Sequence, residues 1–191
     1  TSFGAGLADF WVTKNPSYTQ RPPEEGHDIA IISVLPSKNL IGEGSSMMIN
    51  VTVENQGIYE ESTMISVYAN ATLVEASSVD LTSAQIAIII FTWNTSGFAK
   101  GSYSISAKAD NVLEETDTED NTFVDGKVKV TIIGDAQGDG KVDVFDLFKV
   151  SKAFGSDSSK SNWNPYCDFN NDNKVNTIDL LDLSENYGTN V

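Results

Sequence analysis

The sequence predicts a mostly β chain with a small α part at its C-terminal end: an antiparallel β-sandwich, then two short loop–helix repeats. Three observations predict it. Between His27 and Ile132 apolar and polar residues alternate with period two, and helical periodicity is absent. From Gly134 the texture changes to clusters of Asp, Asn and Gly, each followed by apolar residues at helical spacing. The second half of that region also repeats the first at a shift of 33 residues.

Residues 1–26 hold Gly4, Gly6, Pro16, Pro22 and Pro23, with apolar residues gathered at Leu7, Phe10, Trp11 and Val12. The Pro pair disfavours helix past Asn15. This stretch is expected to be a linker or the end of an upstream domain, with Phe10 and Trp11 covered by a neighbouring surface or forming an added edge strand. No charged-then-apolar leader stands at Thr1, which predicts a mature or excised piece whose targeting signal lies elsewhere.

Over 27–132, Ile49, Val51 and Val53 point one way while Asn50, Thr52 and Glu54 point the other. Tyr103, Ile105, Ala107 and Ala109 alternate with Ser102, Ser104, Ser106 and Lys108, and Val128, Val130 and Ile132 with Lys127, Lys129 and Thr131. Similar runs lie at Asp28–Val34, Thr63–Ala69 and Val79–Trp93, with turn signals at Pro36, Asn55-Gln56-Gly57 and Thr95-Ser96-Gly97. About seven short strands with one buried face each fit a sandwich.

In the repeat, Asp135 falls on Asp168, Asp139 on Asp172, Lys141-Val142 on Lys174-Val175, and Asp146-Leu147 on Asp179-Leu180. Each copy opens with twelve residues carrying oxygens at positions 1, 3, 5, 9 and 12 around a sharp turn at 6. The first loop offers Asp135, Gln137, Asp139, Asp143 and Asp146; the second offers Asp168, Asn170, Asp172, Asn176 and Asp179. Position 7, Lys141 or Lys174, would add a backbone carbonyl, and Val142 or Val175 at position 8 would anchor the loop in the core. Calcium wants six to eight hard oxygens, so each loop is a candidate Ca2+ site, giving two ions. Carboxylates crowded in each loop would repel without a cation, so calcium is expected to be part of the fold.

The strand pattern Gly126–Ile132 runs almost into the first loop, and Asn164-Pro165 precedes the second, so neither has an entering helix. Paired loops with exiting helices only, and Asp at position 12, resemble a dockerin over Gly134–Asn190. The resemblance implies a module of residues 133–191 that folds on two calcium ions and binds a cohesin domain of another protein. It also implies recognition at loop positions 10 and 11 and further along each helix. Those are Val144, Phe145, Ser151, Lys152 and Ser156 in the first repeat, and Thr177, Ile178, Ser184, Glu185 and Thr189 in the second. Leu147, Val150 and Phe154, with Leu180, Leu183 and Tyr187, are expected to form the core stripe. Val144, Phe145, Phe148, Ile178 and Leu181 form a surplus stripe: a wider core or a binding patch.

The β region resembles the CARDB family of immunoglobulin-like adhesion domains. It does so through Val51-x-Val53-x-Asn55-Gln56-Gly57, Phe91-x-Trp93, Gly101-x-Tyr103-x-Ile105-x-Ala107 and the acidic stretch ending at Asn121. Trp93 and Tyr103 are expected in the core. Six acids without a base between Asp110 and Asp120 read as a solvated loop, with a further ion site as the alternative. Asn50, Asn70 and Asn94 open Asn-x-Ser/Thr sequons and are candidate glycosylation sites.

The chain has 191 residues, 12 Lys and Arg against 27 Asp and Glu, and net charge −15, which disfavours nucleic acid and anionic membrane as partners. The longest apolar run, Ile86–Phe91, is far too short to span a bilayer. A single cysteine, Cys167, excludes an internal disulfide, and a single histidine, His27, argues against a hydrolytic triad or Cys–His pair. The leading expectation is a non-catalytic, secreted or cell-surface module, monomeric on its own. Its sandwich serves as adhesion domain or spacer, and its C-terminal module docks onto a cohesin. Two alternatives stand beside it. In one, the calcium module packs within the chain, burying Val144, Phe145, Ile178 and Leu181. In the other, the sandwich binds carbohydrate through Tyr59 and Tyr68.

Overall fold

A computed structural model describes residues 25–191. The expected linker over 1–26, with Phe10 and Trp11, lies outside the described residues except for Glu25 and Gly26. Eight strands come first: β1 Ile29–Pro36, β2 Leu40–Gly42, β3 Ser46–Asn55, β4 Glu61–Ala69, β5 Thr72–Leu81, β6 Ile86–Asn94, β7 Gly101–Ala109 and β8 Thr122–Thr131. They form a three-stranded sheet, β1-β3-β6, facing a five-stranded one, β2-β8-β7-β4-β5. All pairings are antiparallel except β2 with β8, which run parallel.

The alternation produces the core directly. Ile49, Val51 and Val53 of β3 are fully buried, and Asn50 between them is exposed, its backbone paired with Leu35 on one side and Ile90 on the other. Trp93 is fully buried in edge-to-face contact with Phe98 and Tyr103, ring centres 5.3 and 5.6 Å away. Tyr103 is half-buried, and its hydroxyl donates to the Ala99 carbonyl at 2.7 Å. At the end of β3 the Asn55 amide donates to the carbonyls of Tyr59 and Leu81, tying that turn to β5. Gly57 is obligatory there, because a Cβ would lie 2.5 Å from the Gly26 carbonyl oxygen.

Three expectations need correction. The run Val79–Trp93 is two strands, β5 and β6, separated by a turn in which Ala84 takes φ +59° and Gln85 accepts from the Thr82 amide and hydroxyl. β2, only three residues long, was not foreseen. Glu54 and Thr131, expected on the face opposite the apolar residues, are buried, at 2% and 1% exposure. His27 stacks on Tyr59 at 4.5 Å and hydrogen-bonds Glu61 at 2.5 Å. In the acidic stretch, Glu115 accepts from the amides of Ile29 and Val112 and from the Asn121 side chain, fastening the loop to β1.

After β8 the chain forms α1 Val144–Ala153, a 3₁₀ turn Pro165–Cys167 and α2 Thr177–Asn186. A second core gathers Ile132, Ala136, Val142, Val150, Ala153, Cys167, Phe169, Val175 and Leu183. The duplication is intertwined rather than serial. Val142 of the first loop bonds through its backbone to Gly188 and Thr189 after α2, while Val175 of the second bonds to Gly155 and Ser156 after α1. Each loop is therefore completed by the tail of the other helix.

Candidate metal centre and docking face

Both twelve-residue loops curl around their first aspartate. The Asp135 carboxylate accepts from the amides of Gly138, Asp139 and Gly140, and that of Asp168 from Asp172 and Asn173, at 2.7–3.2 Å. Positions 4 and 6 have positive φ in both loops: Gly138 and Gly140 at +74° and +88°, Asn171 and Asn173 at +61° and +64°. Asn tolerates the left-handed region better than other non-glycine residues, which is why the second loop holds the same curl without glycine.

Loop and helix are one device. Position 9, Asp143 or Asn176, is the helix N-cap, accepting from the amide of Phe145 or Ile178 at 2.8 Å. Position 12, Asp146 or Asp179, is the third residue of the helix and accepts back from the N-cap amide, closing a capping box. Asp146 also accepts from the Gln137 amide, and Asp179 from the Phe169 amide.

The donor set fits a hard divalent cation. Asp135, Asp146, Asp168 and Asp179 are at most 4% exposed, and among the described residues none has an ammonium or guanidinium within ion-pair distance. Burial pushes the Asp146 and Asp168 carboxyls above the usual carboxylate range, against the pull of the amides they accept from. A bound Ca2+ would supply the positive charge these desolvated oxygens lack. Among the described residues no three His, Cys, Asp or Glu side chains converge on one point. The loops' remaining oxygens are the amides of Gln137, Asn170 and Asn176, the Asp139 and Asp172 carboxylates, and the carbonyls of Lys141 and Lys174. The repulsion expected among the acids is met here by backbone N–H donors.

The helix faces depart from expectation. The buried positions of α1 are Asp146, Val150 and Ala153, and those of α2 are Asp179 and Leu183. Leu147, Phe154 and Tyr187 are 37%, 46% and 52% exposed, because the buried carboxylate at position 12 takes the place on the inner stripe assigned to an apolar residue. Val144, Phe145, Phe148, Ile178 and Leu181 stand 51–62% exposed, contrary to the alternative in which the module buries them. Ser151, Lys152, Thr177, Ser184 and Glu185 share the exposed surface; Ser156, at 2%, does not. The sequon residues Asn50, Asn70 and Asn94 are exposed, although the Asn70 and Asn94 side chains accept from the Ser104 and Ser96 amides.

Cys167 packs in the second core directly before the second loop, and burial lifts its thiol pKa to about 12. At pH 8 its thiolate population is about 10³-fold below that of a free cysteine. Cys167 is expected to resist a thiol reagent in the folded module and to react at an ordinary rate once chelation opens it, a difference that timed labelling reads.

Sequence reasoning missed a set of contacts between sandwich and loops. Lys38 donates to the Asp168 carbonyl, Lys129 to that of Gly138, and the Asn171 amide to that of Ser46. Nothing in local patterning signals them, since in each a polar side chain meets a backbone carbonyl, which every residue carries.

Comparison with known proteins places this architecture. The family model described as CARDB matches residues 27–125, more than half of the chain. The chain belongs to the CARDB family. Following that CARDB domain, a model described as Dockerin type I domain matches residues 133–186. Among solved structures, the chain is similar to a CARDB domain from Pyrococcus furiosus crystallised in complex with di-metal ions. That match has 24% identity and TM-score 0.48, over 56% of this chain and 94% of that one. The solution structure of a CARDB domain of the same protein gives 25% identity and TM-score 0.48, covering 56% and 97%. A β-glucosidase from Listeria innocua matches at 17% identity and TM-score 0.41, covering 55% of this chain and 16% of its own. No curated protein matches the chain. Dockerin type I domains bind Ca2+ and dock onto cohesins, a CARDB module fits adhesion or spacing, and both families are non-catalytic and typical of extracellular or cell-surface proteins. No helix among the described residues is long and apolar enough to cross a membrane.

Proposed function

We propose that the C-terminal module, residues 133–191, binds two Ca2+ ions and docks onto a cohesin domain, tethering its parent protein to a scaffold or surface. The sandwich, residues 27–132, serves as spacer or adhesion domain. The observation that carries the reading is the doubling of one device. Each loop curls around its first aspartate with left-handed residues at positions 4 and 6, and leads into a helix whose first turn shows exposed apolar residues, Val144 and Phe145 in one and Ile178 in the other. In this reading the ligands are Asp135, Gln137, Asp139, Lys141, Asp143 and Asp146, and Asp168, Asn170, Asp172, Lys174, Asn176 and Asp179, the two lysines through their carbonyls.

The test is a calcium titration of the metal-stripped full chain by calorimetry and far-ultraviolet circular dichroism. About two ions are expected, with helix gained on binding, at affinities served by extracellular calcium. A cohesin should then be retained in calcium and released by chelator. Absence of calcium binding would overturn the reading.

A further inference from the structure

The sandwich grips both calcium loops, and by the same part of each. In the first loop, Thr131 at the end of β8 donates from its hydroxyl to Asp135 at 2.5 Å, and the Lys129 ammonium donates to the Gly138 carbonyl at 2.6 Å. Leu40 of β2 lies over Gly138 so closely that a Cβ there would sit 2.9 Å from its methyl. In the second loop, Lys38 donates to the Asp168 carbonyl at 3.2 Å and the Asn171 amide to the Ser46 carbonyl at 2.8 Å. Tyr166, just before that loop, donates to Asn39 at 2.6 Å. The gripped residues include positions 1 and 4 in each loop, and in the second loop the Ser45 hydroxyl also donates to the carbonyl of Phe169, position 2, at 3.5 Å. Position 4 is a left-handed residue in both, Gly138 and Asn171.

That half of each loop also carries the candidate ligands at positions 1, 3 and 5. An ion drawing those oxygens together would order the backbone that Lys38, Ser46 and Lys129 hold. The exposed residues Phe145, Ile178 and Leu181 are at the other end of the loops and on the helices, clear of these contacts. We infer that the sandwich is a structural part of the calcium sites, so that calcium binding locks sandwich and C-terminal module into one body. The docking helices are then presented at a set orientation to the adhesion domain. Without the ion the joint loosens. This rests on the calcium reading above and adds to it a role for the sandwich edge, residues 37–46.

Amide hydrogen exchange on the full chain tests it, with bound ions counted by calorimetry on the same samples. Calcium is expected to slow exchange over residues 37–46 by about tenfold in the unaltered chain, although no ligand lies there. In a Lys38→Met, Asn171→Gly chain the slowing should fall below about twofold while ions still bind and β3–β7 stay protected. Ions bound with exchange over 37–46 unchanged would overturn the inference and leave the calcium reading standing. Full slowing in the double variant would overturn it too. No ions bound would overturn both.

Discussion

Phe145→Asp combined with Ile178→Asp is expected to abolish cohesin binding and leave the calcium-dependent fold in place. Both residues sit at position 11 of their loops, 62% and 51% exposed, so their removal opens no cavity in the module. Each is the second residue of its helix, after the caps Asp143 and Asn176, where a carboxylate interacts favourably with the helix dipole. The folded module should therefore tolerate both. At a desolvated apolar interface each unpaired charge costs about 2–4 kcal/mol, so the pair weakens binding by roughly 10³-fold or more. Calorimetry against a cohesin, with circular dichroism in calcium and in chelator, reads both halves. If helix formation fails in the variant, the apolar stripe belongs to the module's own packing, and the docking face has been misplaced.

Asp179→Ala should do the opposite, removing the fold and with it the function. The Asp179 carboxylate is fully buried and accepts from the Phe169 and Asn176 amides, both at 2.8 Å. Its loss leaves one buried and one part-buried amide without an acceptor and opens the capping box of α2, together about 2–4 kcal/mol before any calcium ligand is counted. Because Val175 is paired with Gly155 and Ser156 beyond α1, the damage passes to the first repeat. The expected result is loss of most calcium-induced helix and of both ions, with the sandwich signal retained. One ion and half the helix surviving would mean that the repeats fold independently. Asp146→Ala should behave alike, as the Val142 pairing with Gly188 and Thr189 mirrors it.

Where residues act through nearest neighbours, the sequence is readable. Ile49, Val51 and Val53 are buried as expected, with Asn50 exposed and Thr52 half-exposed between them, because a strand has two faces; the alternation ends at Glu54, which is buried as well. The loops are legible for the same reason: ligand spacing is a property of twelve consecutive residues. Legibility fails where a feature is short or uses unfamiliar chemistry. β2 is too brief to show a period. The β5–β6 turn is built from Thr82, Ala84 and Gln85 rather than Gly or Pro. Leu147 and Phe154 fit an inner stripe by apolar spacing, yet stand outside because Asp146, buried with its acceptor oxygens filled, occupies that core space.

The residues alone determined a β-sandwich, a duplicated calcium-type loop with an exiting helix, and the oxygens each loop offers, since all of these are written in short-range period and spacing. Only the tertiary structure decided which helix face is left outside, which helix tail completes which loop, and that Lys38, Ser46 and Lys129 reach across to the loops. The grip of the sandwich on the second loop joins residues 125 and 130 positions apart through backbone carbonyls. Every residue carries a carbonyl, so side-chain identity cannot announce such a contact; it exists only once the chain has folded back on itself.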